Sequence, residues 1–145
     1  GDDASVLSYL LAVTGQIDMD PMMLKAHLNF GSNTGNMGIK GHSNIASWDI
    51  AKNEVNSTSS LGFFLEGAYK MSDAMTLDAG LGYASSSNDA WDESDGRMGL
   101  YVQAKMKISH LQLIPEFGII NEMEDASGNK EGSMPYFGTQ LRVDF

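Results

Sequence analysis

His27, His42 and His110 are the side chains best suited to metal or proton chemistry, and they fall in dissimilar surroundings. One lies in an alternating segment, one among glycines and one in a two-residue connection, so no joint metal site is expected. The chain contains no Cys, which excludes thiolate ligands and a thiol nucleophile. Asp89, Asp92, Glu93 and Asp95 crowd around Trp91, but not at the ligand intervals of an EF-hand. No serine stands in a nucleophile-elbow context. Glu66 and Asp78 could approach each other as a carboxylate pair, yet beside Lys70 they read more simply as part of a charge cluster on a wet surface. The expectation is a protein that is not an enzyme and carries neither metal nor cofactor.

What remains is polar side chains at alternate positions: Lys25, Glu66, Lys70, Asp78, Gln103, Lys105, Lys107, Glu116 and Arg142. Strand side chains alternate with a period of two, so such spacing requires β-segments to position them. Segment 5–17 sets Leu7, Tyr9, Leu11, Val13 and Ile17 on one face. Segment 22–31 does the same with Met22, Leu24, Ala26, Leu28 and Phe30, opposite Met23, Lys25, His27 and Asn29. Alternation resumes at 61–70, 75–83, 98–108, 111–119 and 134–145, giving seven strands in all. A hairpin across Asp18 to Pro21 would set Ile17 against Met22, Val13 against Ala26, Leu11 against Leu28 and Tyr9 against Phe30. The second hairpin pairs Phe63 with Tyr83 and Tyr69 with Leu77. Pro115 removes a ladder hydrogen bond, so a bulge is expected there.

Three polar stretches, 32–59, 85–96 and 121–133, carry no periodicity and read as loops. Part of the first, around Asn44 to Val55, has room for a short strand or helix. With 145 residues, the chain fits one domain. Nine Lys plus Arg against nineteen Asp plus Glu leave a net charge of −10, which argues against nucleic-acid binding. No run is long enough for a transmembrane helix, so a membrane role would require a closed barrel.

The last segment, MPYFGTQLRVDF at 134–145, sharpens this reading. Phe145, Val143, Leu141, Thr139 and Phe137 share one face, and Asp144, Arg142, Gln140, Gly138 and Tyr136 the other. An alternating strand that ends on an aromatic residue resembles the closing strand of bacterial outer-membrane β-barrels of the porin-like kind. The resemblance implies an all-β, antiparallel, up-and-down transmembrane barrel in the Gram-negative outer membrane. Its implied partners are outer-membrane lipid and lipopolysaccharide, the barrel-assembly machinery through the terminal strand, and further copies in a homo-oligomer.

The order of connections agrees, because short turns alternate with long loops, placing all the long ones at one end as extracellular loops. Tyr9, Phe30, Phe63 and Tyr83 sit at the long-loop ends on the apolar face, and Tyr69 and Phe145 near the short-turn end. They form two aromatic girdles suited to membrane interfaces. Seven is an odd count, whereas single-chain bacterial barrels have even numbers, so the expectation is the carboxyl-terminal part of a larger barrel. The function so implied is passive diffusion of small hydrophilic solutes or ions. A structural or anchoring barrel, or a sheath for a partner protein, is the alternative, followed by a soluble β-sandwich binding module.

Overall fold

The computed structural model describes residues 5–38 and 45–143. His42, Asp144 and Phe145 lie outside them, and so does the girdle position assigned to Phe145. The elements in chain order are β1 (Tyr9–Met19), β2 (Met22–Ser32), a 3-10 turn (Thr34–Met37), β3 (Ser47–Asp49), β4 (Glu54–Asn56), β5 (Thr58–Ser72), β6 (Met75–Asn88), β7 (Asp95–Ile108), β8 (Leu111–Glu124) and β9 (Lys130–Val143). Seven strands form one sheet in the order β1-β2-β5-β6-β7-β8-β9, and β3 and β4 pair separately. Each wall strand is antiparallel to its sequence neighbour in the sheet. Among the described residues the sheet is open, with β1 and β9 at its edges.

The β5–β6 register is as expected, with Phe63 opposite Tyr83 and Tyr69 opposite Leu77. The β1–β2 register is not. Ile17 faces Leu24, Val13 faces Leu28, Leu11 faces Phe30 and Tyr9 faces Ser32. Asp18 and Met19 continue β1, leaving only Asp20 and Pro21 in the turn, and this slides the pairing by two residues. An even slip keeps every side chain on its face. Pro115 forms no bulge: Gln103 pairs with Glu116 and Met106 with Leu113 in one continuous register. The ladder skips only the positions between them, where proline offers no N–H.

The loops are shorter than their sequence suggests. β5 starts at Thr58, β6 runs to Asn88, β7 starts at Asp95, β8 runs to Glu124 and β9 starts at Lys130. These extensions are rich in Ser, Thr, Asn and Gly, so they pair through the backbone without apolar alternation. The first loop contains the β3–β4 hairpin, which pairs only with itself and leaves the alternation of turns intact.

Burial alternates in the opposite sense to that of a soluble sheet. In β2, Met22, Leu24, Ala26, Leu28 and Phe30 are exposed, while Met23, Lys25, His27 and Asn29 are half-buried. No hydrophobic residue is buried among those described, and Phe137 is 72% exposed. Asp78, by contrast, is 1% exposed. Side chains that shield one another line the inside of a curved sheet, so the polar face is the concave one.

Candidate functional site

The concave face is organised in rows across the ladder. One row runs Gln16, Lys25, Glu66, Gly80, Tyr101, Gly118, Tyr136, and the next towards the short turns runs Asp18, Met23, Ala68, Asp78, Gln103, Glu116, Gly138. Lys25 thus faces Glu66 directly across β2 and β5. Nearer the turns, Lys107, Gln112 and Arg142 form a cationic row. By register the predicted lining residues share one face of the sheet.

Glu66 and Asp78 do not form a pair. Glu66 faces Gly80, while Asp78 faces Ala68 one row away. The Asp78 carboxylate instead accepts from Lys105 Nζ at 2.6 Å and from the Tyr101 hydroxyl at 3.2 Å. A buried carboxylate requires such compensation, since an unpaired charge in low dielectric is costly. Glu116 accepts from the Tyr136 hydroxyl at 2.8 Å. Lys70 turns away to meet Asp73 in the β5–β6 turn at 2.7 Å. That donated hydrogen bond and the charge of Lys70 hold the Asp73 carboxyl below its ordinary pKa. His27 contacts Thr14 Oγ1 at 2.7 Å and Asn29 Nδ2 at 3.0 Å. Among the described residues no group of three or more His, Asp or Glu is placed to hold a metal ion.

At the long-loop end, polar side chains on the concave side form a buried knot. Asn33 and Thr58 are fully buried. Asn33 Oδ1 accepts from the Thr58 N–H at 2.8 Å, and Asn33 Nδ2 donates to the Leu7 carbonyl at 2.9 Å. Thr58 Oγ1 donates to the Ile45 carbonyl, and Asn88 Nδ2 donates to Thr58 Oγ1 at 2.9 Å and to Ser47 Oγ at 3.5 Å. Thr58 and Asn88 point to the concave face, so these bonds hold the start of the β3–β4 hairpin on that side. At the neighbouring loops, the N–H groups of Asp92 and Glu93 donate to the Ala126 carbonyl.

Of the aromatics assigned to girdles, Tyr9, Phe30, Phe63, Tyr69 and Tyr83 lie on the convex face. Phe63 and Tyr83 stack with centroids 5.6 Å apart, Phe30 is exposed one row beyond, Tyr9 is exposed nearer the loops, and Tyr69 is exposed by the short turns. Alternation in the sequence places Phe64, Tyr101 and Tyr136 on the other face but assigns them no role. For the two tyrosines the signal is a glycine two residues after an acid, Asp78 with Gly80 and Glu116 with Gly118, followed by a tyrosine opposite that glycine on the next strand.

No family model and no curated protein matches the sequence. Among solved structures the chain is similar to OmpT, an outer membrane protein of Vibrio cholerae, folded in vitro and in its trimer form. The TM-score is 0.64 over 94% of this chain and 41% of that one, at 14% identity. The fold is that of an outer-membrane β-barrel wall. At this identity the likeness concerns the fold alone, and the chain spans well under half of OmpT's length.

Proposed function

We propose that the sheet is a sector of an outer-membrane channel wall that passes small hydrophilic solutes or ions by passive diffusion. The observation that carries this is the reversed burial of the inner strands: an apolar convex face left open, and a crowded polar face behind it. Hydrocarbon satisfies the first face and a water-filled lumen the second. Strands of 14 residues reach roughly 46 Å at about 3.3 Å per residue, enough to cross the hydrocarbon layer at a tilt. Open backbone edges cannot remain in lipid, so β1 and β9 pair with further wall in the closed barrel.

In this reading the lumen charges create a field along the passage. Lys107 and Arg142 share a cationic row, Glu66 and Glu116 lie further from the short turns, and Lys105 neutralises Asp78. A permeating ion is sorted by that separation. The β3–β4 hairpin, held to the concave side, narrows the passage at the loop end. The membrane partners are outer-membrane lipid and lipopolysaccharide, the assembly machinery that receives the terminal strand, and further copies of the chain.

A structural or anchoring barrel shares the same wall, and conductance separates the two. Reconstitution of the full protein into planar bilayers is expected to give discrete current steps whose ion selectivity shifts when Lys107 and Arg142 are changed to Glu. Insertion without current would overturn the channel and leave the anchoring wall. A β-sandwich needs a buried apolar face, and this sheet supplies none among the described residues.

A further inference from the structure

Two strand pairs repeat one arrangement on the concave face. Tyr101 stands opposite Gly80 and Tyr136 opposite Gly118. A Cβ at either glycine would collide with the facing ring. Each ring therefore lies along the neighbouring backbone, in space that a side chain would otherwise fill. The hydroxyls are fixed as well, Tyr101 donating to Asp78 and Tyr136 to Glu116. Pinned at the rim and seated on glycine, each ring turns one face to the wall and the other to the lumen. Phe64 extends the surface: its ring lies against Gly82 as that of Tyr101 lies against Gly80, with centroids 6.3 Å apart and planes 8° apart. Tyr101 and Tyr136 are two strands apart, about 10 Å at about 4.8 Å per strand.

We propose that Phe64, Tyr101 and Tyr136 form a stacking track for neutral saccharides. The channel reading supplies the route by which a solute reaches the track. A ring face attracts either a cation or a polarised C–H surface. Local charge decides between them. Beside Tyr101 the Asp78 carboxylate is buried, and its two oxygens are occupied by the tyrosine hydroxyl and Lys105, so it offers no field to a passing cation. The other groups near the rings carry both signs, with Lys25 facing Glu66 in the same row, and stand beside neutral amides. Gln103 faces both Asp78 and Glu116, and Gln140 is exposed on the adjoining strand. A sugar presents a C–H face to the rings and a hydroxyl rim to these amides and to Glu116, and a linear glycan spans both tyrosines.

The test is isothermal calorimetry of the full protein in detergent micelles with maltohexaose and cellohexaose, with tetraethylammonium as the cationic probe. At least one glycan is expected to bind, with Tyr101→Leu and Tyr136→Leu each weakening it roughly tenfold. Tyr101→Phe and Tyr136→Phe keep the rings and are expected to bind within about threefold of the parent, so the prediction holds even where the Leu variants do not fold. Absence of heat with both glycans, undiminished binding by folded Leu variants, loss of binding in folded Phe variants, or tyrosine-dependent binding of tetraethylammonium instead would overturn the track. Calorimetry needs no ion flow. Glycan binding without conductance would overturn the channel and leave the track, and conductance without glycan binding would do the reverse.

Discussion

Lys105 Nζ lies 2.6 Å from Asp78 Oδ2 on the concave face, across the β6–β7 pair and next to the Tyr101 hydroxyl. Asp78 is fully buried, while Lys105 keeps about a third of its side chain in contact with solvent. The two partners are therefore unequal. Lys105→Met leaves a buried carboxylate with one hydroxyl donor, which is expected to cost about 2–3 kcal/mol. Asp78→Asn leaves a lysine that reaches water and is expected to cost about 1 kcal/mol. Urea unfolding of the protein in lipid vesicles measures both, and equal losses would show that the carboxylate is not the dependent partner.

Gly80 and Gly118 give a steric version of the same test. Alanine at either position pushes the facing tyrosine off the wall and separates its hydroxyl from the carboxylate. The expected loss is about 1–2 kcal/mol. Gly138 lies on the same face with no atom within 4 Å of an added Cβ, so Gly138→Ala should be neutral. Unfolding midpoints that fall alike for all three substitutions would mean that glycine matters here for the backbone and not as a seat for a ring.

Much of the wall was legible in the sequence, because a face of Leu, Val, Met and Phe at every second residue survives any even register slip. The β5–β6 pairing could be placed from the turn between Lys70 and Met75, whereas β1–β2 was misplaced because Asp18 and Met19 look like turn and belong to strand. Strand ends were hidden for a related reason. Ser59, Ser60 and Ser85 to Ser87 pair like their neighbours but offer no contrast between faces. The lining charges were readable as a shared face, but their partners were not. That Asp78 meets Lys105 rather than Glu66 depends on a register two strands long, and the seat of Tyr101 on Gly80 is a cross-strand relation that no local pattern announces.

The β8–β9 loop has its own pH dependence. Asp125 accepts from the backbone N–H of Asn129 at 2.9 Å, from the Asn129 amide, and from the backbone N–H of Ser127 at 2.9 Å. These donors, the Asn129 backbone foremost, hold its carboxyl below the ordinary value. A depressed folded pKa means that the stabilisation is complete above the unfolded value, about 3.9, and is lost as pH falls through the folded one. Amide protection factors at Ser127 and Asn129, taken relative to the intrinsic exchange rate at each pH, should therefore hold at neutral pH and fall on acidification, whereas in Asp125→Ala they should be low throughout. Protection of Ser127 and Asn129 that persists in Asp125→Ala would show that the loop does not depend on this carboxylate.

The convex face permits the most direct test of the membrane reading, since a chain without Cys takes single labels cleanly. Leu65, Leu81 and Val102 lie in two adjacent rows, at the centre of the apolar band. Spin labels there are expected to collide with oxygen dissolved in acyl chains, while a label at Gln103, next in sequence and on the other face, should report a polar relaxant. Energetics follow the same division. Val102→Arg places a cation against hydrocarbon and is expected to cost about 2–4 kcal/mol, as for any midplane lipid-facing site. Gln103→Arg, facing Glu116 across β7 and β8, should cost less than about 1 kcal/mol. If both arginines were tolerated, or the Val102 label reported water, lipid would not be what covers this face.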